Sequence, residues 1–160
     1  MTLCVDQTHD PAANVAFLNG QDQFSTVTGP LVAIPGRRLL VIDDQPGITR
    51  VVTLIATRMG IETKSVNLPN QALDAFLTFR PHVVMIDMIM PEKDGIDVLN
   101  EILLTGIAAH IVLTSGFSDN YLRLAEALAK FHDNASCSVL RKPFRRNELV
   151  AELNRHMAVL

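Results

Sequence analysis

Cysteine is scarce in this chain. Among its 160 residues only Cys4 and Cys137 occur, and they lie far apart in the sequence. Two distant thiols provide neither the repeated spacing of a disulfide framework nor the paired spacing of a cysteine metal site. We therefore expect both thiols to stay reduced, as is usual for a protein that works in the cytoplasm.

An excess of positive charge and a long apolar run are also missing. The 14 Lys and Arg residues are outnumbered by 17 Asp and Glu residues, which gives a formal net charge of −3. This balance gives no sign of nucleic-acid binding. No apolar run reaches the roughly 20 residues that span a membrane, and no basic segment precedes an apolar one at the N-terminus. The sequence therefore predicts neither a membrane protein nor a signal peptide.

Residues 1–36 contain no Lys or Arg and show no regular hydrophobic period. Several Pro and Gly residues interrupt this segment, which disfavours helices and strands. Its apolar residues, which include Phe17, Phe24 and Leu31, are nevertheless too numerous for a purely solvated tail. Two interpretations stay open: a flexible extension, or a segment packed on the domain or on a partner. The length of the chain predicts one folded domain, over residues 37–160.

Three apolar stretches end in charged residues. Asp87 follows residues 83–86, a run that is typical of a buried parallel strand. Asp43 and Asp44 follow residues 39–42, and Lys142 follows a third apolar stretch. Ligands of open α/β sheets lie beyond the carboxyl ends of the strands, so we expect these groups to share one site. Acidic oxygens suit a hard cation such as Mg²⁺, and a lysine can bind a phosphoryl oxygen.

Strands and helices alternate from residue 38 onward, which is the pattern of a parallel sheet with helices on both faces. The predicted strands cover residues 38–42, 61–66, 82–86, 111–114 and 138–141. The predicted helices run from Pro46 to Gly60 and over 69–79, 94–104 and 146–158, with a fourth helix after Ser118. The predicted apolar face of that fourth helix consists of Tyr121, Leu124, Leu128 and Phe131.

Four short motifs resemble the receiver domain of two-component response regulators, and in particular the chemotaxis type. They are Asp43-Asp44, Asp87 with Met90-Pro91 and Asp94-Gly95, Thr114-Ser115-Gly116, and Lys142-Pro143-Phe144. Each motif alone is weak, but all four in family-like order and spacing are specific. The match runs from residue 38 to the C-terminus. The resemblance implies a flavodoxin-like α/β fold, (βα)5, whose five-stranded parallel sheet has the order 2-1-3-4-5.

The resemblance also implies roles for the acidic residues. Asp87 would be the nucleophile that accepts a phosphoryl group and forms an acyl phosphate. Asp44 would bind Mg²⁺ directly and Asp43 would act largely through water, while Asp87 and the main-chain carbonyl of Ile89 would complete the protein ligands. Three neighbouring carboxylates repel one another, and Mg²⁺ would relieve that repulsion.

The remaining motifs would bind the phosphoryl group. By resemblance Lys142 pairs with it, and the bond between Lys142 and Pro143 is cis. Ser115 would donate its hydroxyl to a phosphoryl oxygen, because the family has Ser or Thr followed by Ala or Gly at this place. Thr114 is the alternative hydroxyl, and the choice between the two stays open.

The sequence departs from the family in three places. Val139 stands where the family often has a Tyr or Phe that acts as a rotameric switch. Ile89 and Phe117 are apolar where the family flanks the path of the hydrolytic water, so we expect slow dephosphorylation. The stretch between Ser115 and Lys142 is several residues longer than usual, and we assign the excess to residues 132–136.

The histidines offer no further site at the level of sequence. They are scattered at positions 9, 82, 110, 132 and 156. No two of them have metal-ligand spacing, so we expect each to be structural or exposed. His156, on the last predicted helix, has no neighbouring motif that would support phosphotransfer.

The resemblance implies a single-domain response regulator in the cytoplasm. It would accept a phosphoryl group from a sensor histidine kinase in a Mg²⁺-dependent reaction. It would not be an enzyme in the usual sense, because it would catalyse only its own phosphorylation and dephosphorylation. The signal would pass through contacts with a target protein or by relay to a histidine phosphotransfer protein. No appended DNA-binding module is expected, and a homodimer is left open.

The main alternative is a non-phosphorylated interaction module on the same fold, against which the complete set of acids and lysine argues. A phosphatase of the haloacid-dehalogenase kind is disfavoured because its nucleophile follows the first strand, in an Asp-x-Asp motif. A flavodoxin is disfavoured because no phosphate loop rich in Ser, Thr and Gly follows the first strand.

Overall fold

The computed structural model describes residues 36–116, 119–130 and 132–157. The sequence-based interpretations of residues 1–35, of Phe117 and Ser118, and of the helix end at residue 158 lie outside these ranges. Within the described ranges, no helix combines the length and the apolar character that crossing a membrane requires.

Five parallel strands form one sheet in the described part of the chain. They are β1 (Arg38–Ile42), β2 (Glu62–Val66), β3 (Val83–Asp87), β4 (Ala109–Ser115) and β5 (Ala135–Arg141). Their order across the sheet is β2-β1-β3-β4-β5, which confirms the predicted topology. β3 is the central strand: Ile86 pairs with Ile42 of β1, and Asp87 pairs with Thr114 of β4. Because the strands are parallel, the carboxyl ends of β1, β3 and their neighbours lie together at one end of the sheet.

The described residues also contain five α-helices and one short 3₁₀ turn, Pro69–Gln71. The helices are α1 (Pro46–Arg58), α2 (Ala72–Phe79), α3 (Gly95–Leu104), α4 (Asp119–Lys130) and α5 (Arg146–Met157). Asp94 caps α3, since its side chain accepts the N–H of Asp97 at 3.0 Å. Gly60 lies beyond the end of α1 with φ +75°, as the predicted helix end requires.

β1 and β3 are buried on both faces of the sheet, which explains their uninterrupted apolar runs. Leu40 and Ile42 belong to one apolar cluster, whereas Leu39 and Val41 belong to the other. Residues of α2, α3 and α4 complete the first cluster, and residues of α1 and α5 complete the second. Because helices cover both faces, a binding site has room where the strands end.

The predicted apolar face of the fourth helix is wrong in part. Among the α4 side chains that the structure describes, Leu122, Ala125 and Ala129 are buried, whereas Leu124 is 51% exposed. The predictions for the side chain of Tyr121 and for Phe131 lie outside the described part. Leu128 is half-buried against the core, as expected. The prediction followed the largest apolar side chains, but the helix packs closely through two alanines, whose small size gives a weak hydrophobic signal.

The predicted start of the fifth strand is also wrong. β5 begins at Ala135, opposite Ala109 of β4, and not at residue 138. Two of the residues assigned to an extra loop, Ala135 and Ser136, therefore belong to the strand. β5 lies at an edge of the sheet, and its serines interrupt the apolar run from which the strand was predicted.

Candidate functional site

Asp87 ends the central strand, and all five residues of that strand are buried. The side chain is only 3% exposed in spite of its charge. One carboxylate oxygen, Oδ1, accepts the N–H of Ile89 at 3.3 Å. The other, Oδ2, accepts a hydrogen bond from Lys142 Nζ at 2.7 Å. The buried strand therefore fixes the position of the carboxylate at the strand end, and the two nearby donors fix its orientation.

Asp43 and Asp44 follow β1, the neighbour of β3. Asp43 is buried, with Oδ1 accepting the N–H of Gln45 at 2.9 Å and Oδ2 accepting from Lys142 Nζ at 2.7 Å. Asp44 is half-buried, and its Oδ1 has no hydrogen-bond partner among the described residues. The two adjacent carboxylates thus differ: both oxygens of Asp43 are engaged, whereas Asp44 holds an unsatisfied buried oxygen.

Lys142 reaches the same point from the end of β5. Its ammonium group donates to Asp43 and to Asp87, so it bridges carboxylates from two strands. The peptide bond between Lys142 and Pro143 is cis, which confirms the prediction from the resemblance. As predicted, three carboxylates and one ammonium group therefore lie together at the carboxyl ends of the strands.

The electrostatics of the site follow from burial and from this bridge. Burial raises the pKa of Asp43 above its usual value and outweighs the opposing hydrogen bonds from Lys142 and Gln45. Burial by itself would lower the pKa of Lys142, but hydrogen bonds and charge attraction to Asp43 and Asp87 outweigh burial and raise this pKa. Lys142 is therefore charged at pH 7. When all three acids are ionised, the site keeps two uncompensated negative charges.

The three acids fit a hard divalent cation. Asp43, Asp44 and Asp87 each offer one carboxylate oxygen, and these oxygens lie within 4.8 Å of one another. A buried oxygen without a partner, as on Asp44, is costly unless an ion or a donor satisfies it. Oxygen ligands of this kind are what Mg²⁺ and Ca²⁺ prefer. The donor set and its residual charge therefore suit a cation of charge +2.

A cavity of about 440 Å³ opens beside the acids. Its lining includes Asp87 and Lys142, together with Gln45, Ile48, Ile89, Gly116, Pro143 and Phe144. The side chain of Ile89 is 48% exposed here and offers only apolar surface. A small anionic group that enters this cavity would meet the carboxylate and the ammonium together.

The two candidate hydroxyls at the end of β4 have different surroundings. Thr114 is fully buried, and its Oγ1 donates to the main-chain carbonyl of Ile86 at 3.1 Å. Ser115 is the next residue along the strand and is also buried. The carbonyl of Ser115 accepts the N–H of Lys142 at 2.9 Å, which ties the end of β4 to Lys142.

Two positioning contacts were not identified from the sequence. Asn67, just after β2, donates from Nδ2 to the main-chain carbonyl of Asp43 at 2.7 Å and to Thr49 Oγ1 at 3.1 Å. Gly95 packs against the end of β3, where a Cβ atom would lie 2.4 Å from the main-chain oxygen of Asp87. The motif Asp94-Gly95 was noted in the sequence, but its close approach to Asp87 depends on the folded chain.

Comparison with known proteins agrees with this geometry. Residues 39–154 match the family described as the response regulator receiver domain. The chain is 30% identical over 117 residues to the DNA-binding response regulator MtrA of Mycolicibacterium smegmatis, over 73% of this chain and 49% of MtrA. This chain therefore spans about half the length of that relative. It is 26% identical over 121 residues to the chemotaxis protein CheY of Thermotoga maritima, over 75% of this chain and 97% of CheY.

Solved structures show the same fold. The chemotaxis protein CheY4 of Vibrio cholerae superposes with a TM-score of 0.66 at 20% identity, over 75% of this chain and 98% of that chain. The receiver domain of the Francisella response regulator 1452 gives a TM-score of 0.64 at 26% identity, over 76% of this chain and 97% of that chain. The sheet order and the helices on both faces are thus those of a CheY-type flavodoxin-like fold.

Proposed function

Because the chain belongs to the response regulator receiver domain family, we propose that it accepts a phosphoryl group on Asp87 from a sensor histidine kinase. The observation that carries this proposal is the position of Lys142 Nζ, 2.7 Å from both Asp43 and Asp87 in the lining of an open cavity. A carboxylate held beside a fixed ammonium is placed to attack an electrophilic phosphorus. The proposed location is the cytoplasm, as the sequence analysis expects.

In the proposed reaction a carboxylate oxygen of Asp87 forms a bond to the phosphorus of a phosphohistidine. The phosphorus–nitrogen bond breaks, and the imidazole leaves with the electron pair and takes up a proton. The N–H of Ile89 and the ammonium of Lys142 orient the carboxylate before attack, since each bonds a different oxygen. No side chain needs to remove a proton from Asp87, because the carboxylate reacts in its ionised form.

The metal in this proposal is Mg²⁺, with Asp44, Asp87 and the main-chain carbonyl of Ile89 as its protein ligands and Asp43 acting largely through water. Mg²⁺ supplies charge that offsets the acids and an electrophile for the phosphoryl oxygens when it is bound. The unsatisfied oxygen of Asp44 favours direct ligation by this residue. By the resemblance Asp43 acts largely through water, and its two oxygens accept hydrogen bonds from Gln45 and Lys142.

After transfer, Lys142 would move from the free carboxylates to the phosphoryl oxygens, where charge pairing is stronger. Ser115 is the proposed hydroxyl partner, as the resemblance implies from the Ser-Gly pair at this place. Ser115 ends β4 and Lys142 directly follows the neighbouring strand β5, so a shift at the phosphoryl group reaches both strands together. Val139 is half-buried in β5, and no aromatic ring at that position can carry a rotameric change.

The output of this proposal is a change in protein contacts or relay of the phosphoryl group to a histidine phosphotransfer protein. Phosphorylation adds negative charge and acceptor oxygens at the loops around the cavity, which can change the surface that a target protein meets. The chain would then act as a signalling module that catalyses only its own phosphorylation and dephosphorylation.

The test is incubation with a small phosphodonor, acetyl phosphate, with Mg²⁺ and with a chelator. We expect intact mass spectrometry to show the gain of one phosphoryl group only when Mg²⁺ is present. The competing function, a receiver-like interaction module that is not phosphorylated, predicts no mass gain in either condition. Equal gains with Mg²⁺ and with chelator would contradict the metal dependence.

Asp44→Ala is expected to weaken Mg²⁺ binding more than Asp43→Ala does. The reason is that Asp44 has a free buried oxygen for the ion, whereas Asp43 is already bonded to Gln45 and Lys142. Calorimetric titration of both variants with Mg²⁺ at one ionic strength measures the difference. Equal losses of affinity would remove the distinction between a direct ligand and one that acts through water.

Ile89→Asn is expected to speed the loss of the phosphoryl group severalfold. The isoleucine side chain lines the cavity and cannot hydrogen-bond a water, whereas an amide could position one for attack. Loss of labelled phosphate gives the rate for the variant and for the parent chain. Leu104→Asn is the matched control, because Leu104 is 71% exposed at the end of α3. An unchanged rate in Ile89→Asn would show that apolar shielding does not set the lifetime.

A further inference from the structure

A second group of titratable side chains lies at the opposite end of the strands, on the amino-terminal side of the sheet. His110 is the second residue of β4, near its amino end, whereas the phosphorylation site lies at the carboxyl ends. Glu152 and His156 lie in the later turns of α5, one helical turn apart. From the sequence, each histidine was expected to be structural or exposed, because no two of them have metal-ligand spacing. The fold brings them together.

The contacts in this cluster are short and specific. The imidazole rings of His110 and His156 stack with their centroids 3.3 Å apart and their planes inclined by 11°. His156 Nε2 lies 3.0 Å from Glu152 Oε1. His110 Nε2 lies 2.8 Å from Ser138 Oγ, whose hydroxyl in turn donates to the same Glu152 oxygen. Glu152 and His110 are buried, at 6% and 9% exposure, in spite of their polarity.

We propose that His110, Glu152 and His156 form a binding site for a transition-metal ion of the Zn²⁺ class. Each residue offers one ligand atom, and the three atoms lie within 4.8 Å of one another. Two imidazoles and one carboxylate are a known ligand set for Zn²⁺ with one position left open. The nitrogen content separates this site from the oxygen-only cluster of Asp43, Asp44 and Asp87.

Further contacts support the ligands from outside. His110 Nδ1 lies 2.6 Å from Ser136 Oγ, so this second nitrogen can donate while Nε2 binds the ion. Glu152 Oε2 accepts from Arg155 at 2.8 Å, which leaves Oε1 facing His156. Outer hydrogen bonds of this kind fix the orientation of metal ligands. A cavity of about 620 Å³ is lined by His110, Ser136 and His156 among others. It gives the ion a path to the site and leaves room for a water molecule at the open coordination position.

Coordination requires one local change. Two rings packed nearly parallel cannot both direct a nitrogen lone pair in the ring plane at one ion. His156 is part-exposed beside the cavity, so its ring can tilt away from His110 without moving the sheet. In the same step Ser138 releases His110 Nε2 and keeps its bond to Glu152.

The experiment titrates the full chain with Zn²⁺ in excess Mg²⁺, which occupies the acidic cluster. A competing chromophoric chelator reports the affinity, and Co²⁺ reports the ligands through its visible absorption. We expect one Zn²⁺ per chain and an intense Co²⁺ spectrum typical of a tetrahedral site. Ser136→Ala should lose affinity by about 10-fold, as for an outer contact, and His156→Gln and Glu152→Gln should lose more.

Matched controls separate this site from the rest of the chain. His132→Gln and Glu148→Gln change a histidine and a glutamate outside the cluster, the latter one turn earlier on α5, and should bind Zn²⁺ as the parent does. If Glu152→Gln fails to fold by circular dichroism, His156→Gln decides the result, because His156 is the most exposed ligand. Zn²⁺ should also raise the unfolding temperature of the parent but not of His156→Gln.

Three results would overturn the proposal. The first is the absence of stoichiometric Zn²⁺ binding by the parent chain in excess Mg²⁺. The second is equal affinity in the parent and in His156→Gln. The third is loss of the Zn²⁺ site in Asp44→Ala while His156→Gln keeps it. The phosphorylation of Asp87 is measured separately and does not depend on either outcome.

Discussion

Asp87→Asn will leave the chain without a stable phosphoryl group after incubation with acetyl phosphate and Mg²⁺. The substitution changes the shape of the side chain very little, so the buried end of β3 can still accept the N–H of Ile89. The neutral amide is a poor nucleophile, and it also lowers the charge that draws a cation to Asp43 and Asp44. Intact mass spectrometry should therefore show complete loss of the mass gain seen in the parent chain.

The matched control for this experiment is Asp97→Asn. Asp97 is exposed on α3, ten positions after Asp87, and it undergoes the same chemical change. It should keep the full mass gain, which excludes a general effect of lost charge. An undiminished gain in Asp87→Asn would refute the assignment of the phosphoryl acceptor.

Gly95→Ala is expected to destabilise the folded chain more than a surface change would. An added Cβ would lie 2.4 Å from the main-chain oxygen of Asp87 and 2.5 Å from Met88 Cα, distances that real Cβ atoms do not adopt. Both obstacles are backbone atoms, so either α3 or the end of β3 must move. Overpacking of this kind costs about 1–3 kcal/mol, and occasionally more.

Gly47→Ala provides the opposite expectation within the same fold. Gly47 lies in the first turn of α1, and a Cβ atom there meets nothing within 4 Å. Alanine has a better helix propensity than glycine by up to about 1 kcal/mol, so this variant should be more stable than the parent. Urea unfolding curves give both free energies of unfolding. A loss of stability in Gly47→Ala as large as that in Gly95→Ala would contradict the steric explanation.

The sheet order was predicted from the family resemblance, and the placement of the site was predicted from the ends of apolar strands. Strands β1 and β3 are buried on both faces, and this burial produces apolar runs that are visible without any knowledge of contacts. Each run ends in an acid, so the position of Asp43 and Asp87 at one edge followed from parallel strand geometry. The same reasoning brought Lys142 to that edge from β5.

Other features depend on distances that a single sequence does not contain. The face of α4 was misplaced because Ala125 and Ala129 pack closely but carry little hydrophobic signal. The start of β5 was missed because Ser136, before the predicted strand, interrupts the apolar pattern. In the fold Ser136 and Ser138 both bond His110.

The histidine cluster was also missed, since its members come from β4 and α5. One local signal was present in the sequence: Glu152 and His156 are four residues apart, which places both on one face of a helix. Their partner on β4 could not be chosen among the histidines without the packing of α5 against the sheet.

The most direct measurement is the chemical location of the phosphoryl group in the parent chain. Borohydride reduces an aspartyl phosphate to homoserine, and peptide mass spectrometry then identifies the modified position. We expect homoserine at position 87 alone, after treatment with acetyl phosphate and Mg²⁺. Homoserine at position 43 or 44, or phosphate that resists borohydride and maps to Ser115 or His156, would contradict phosphoryl acceptance by Asp87.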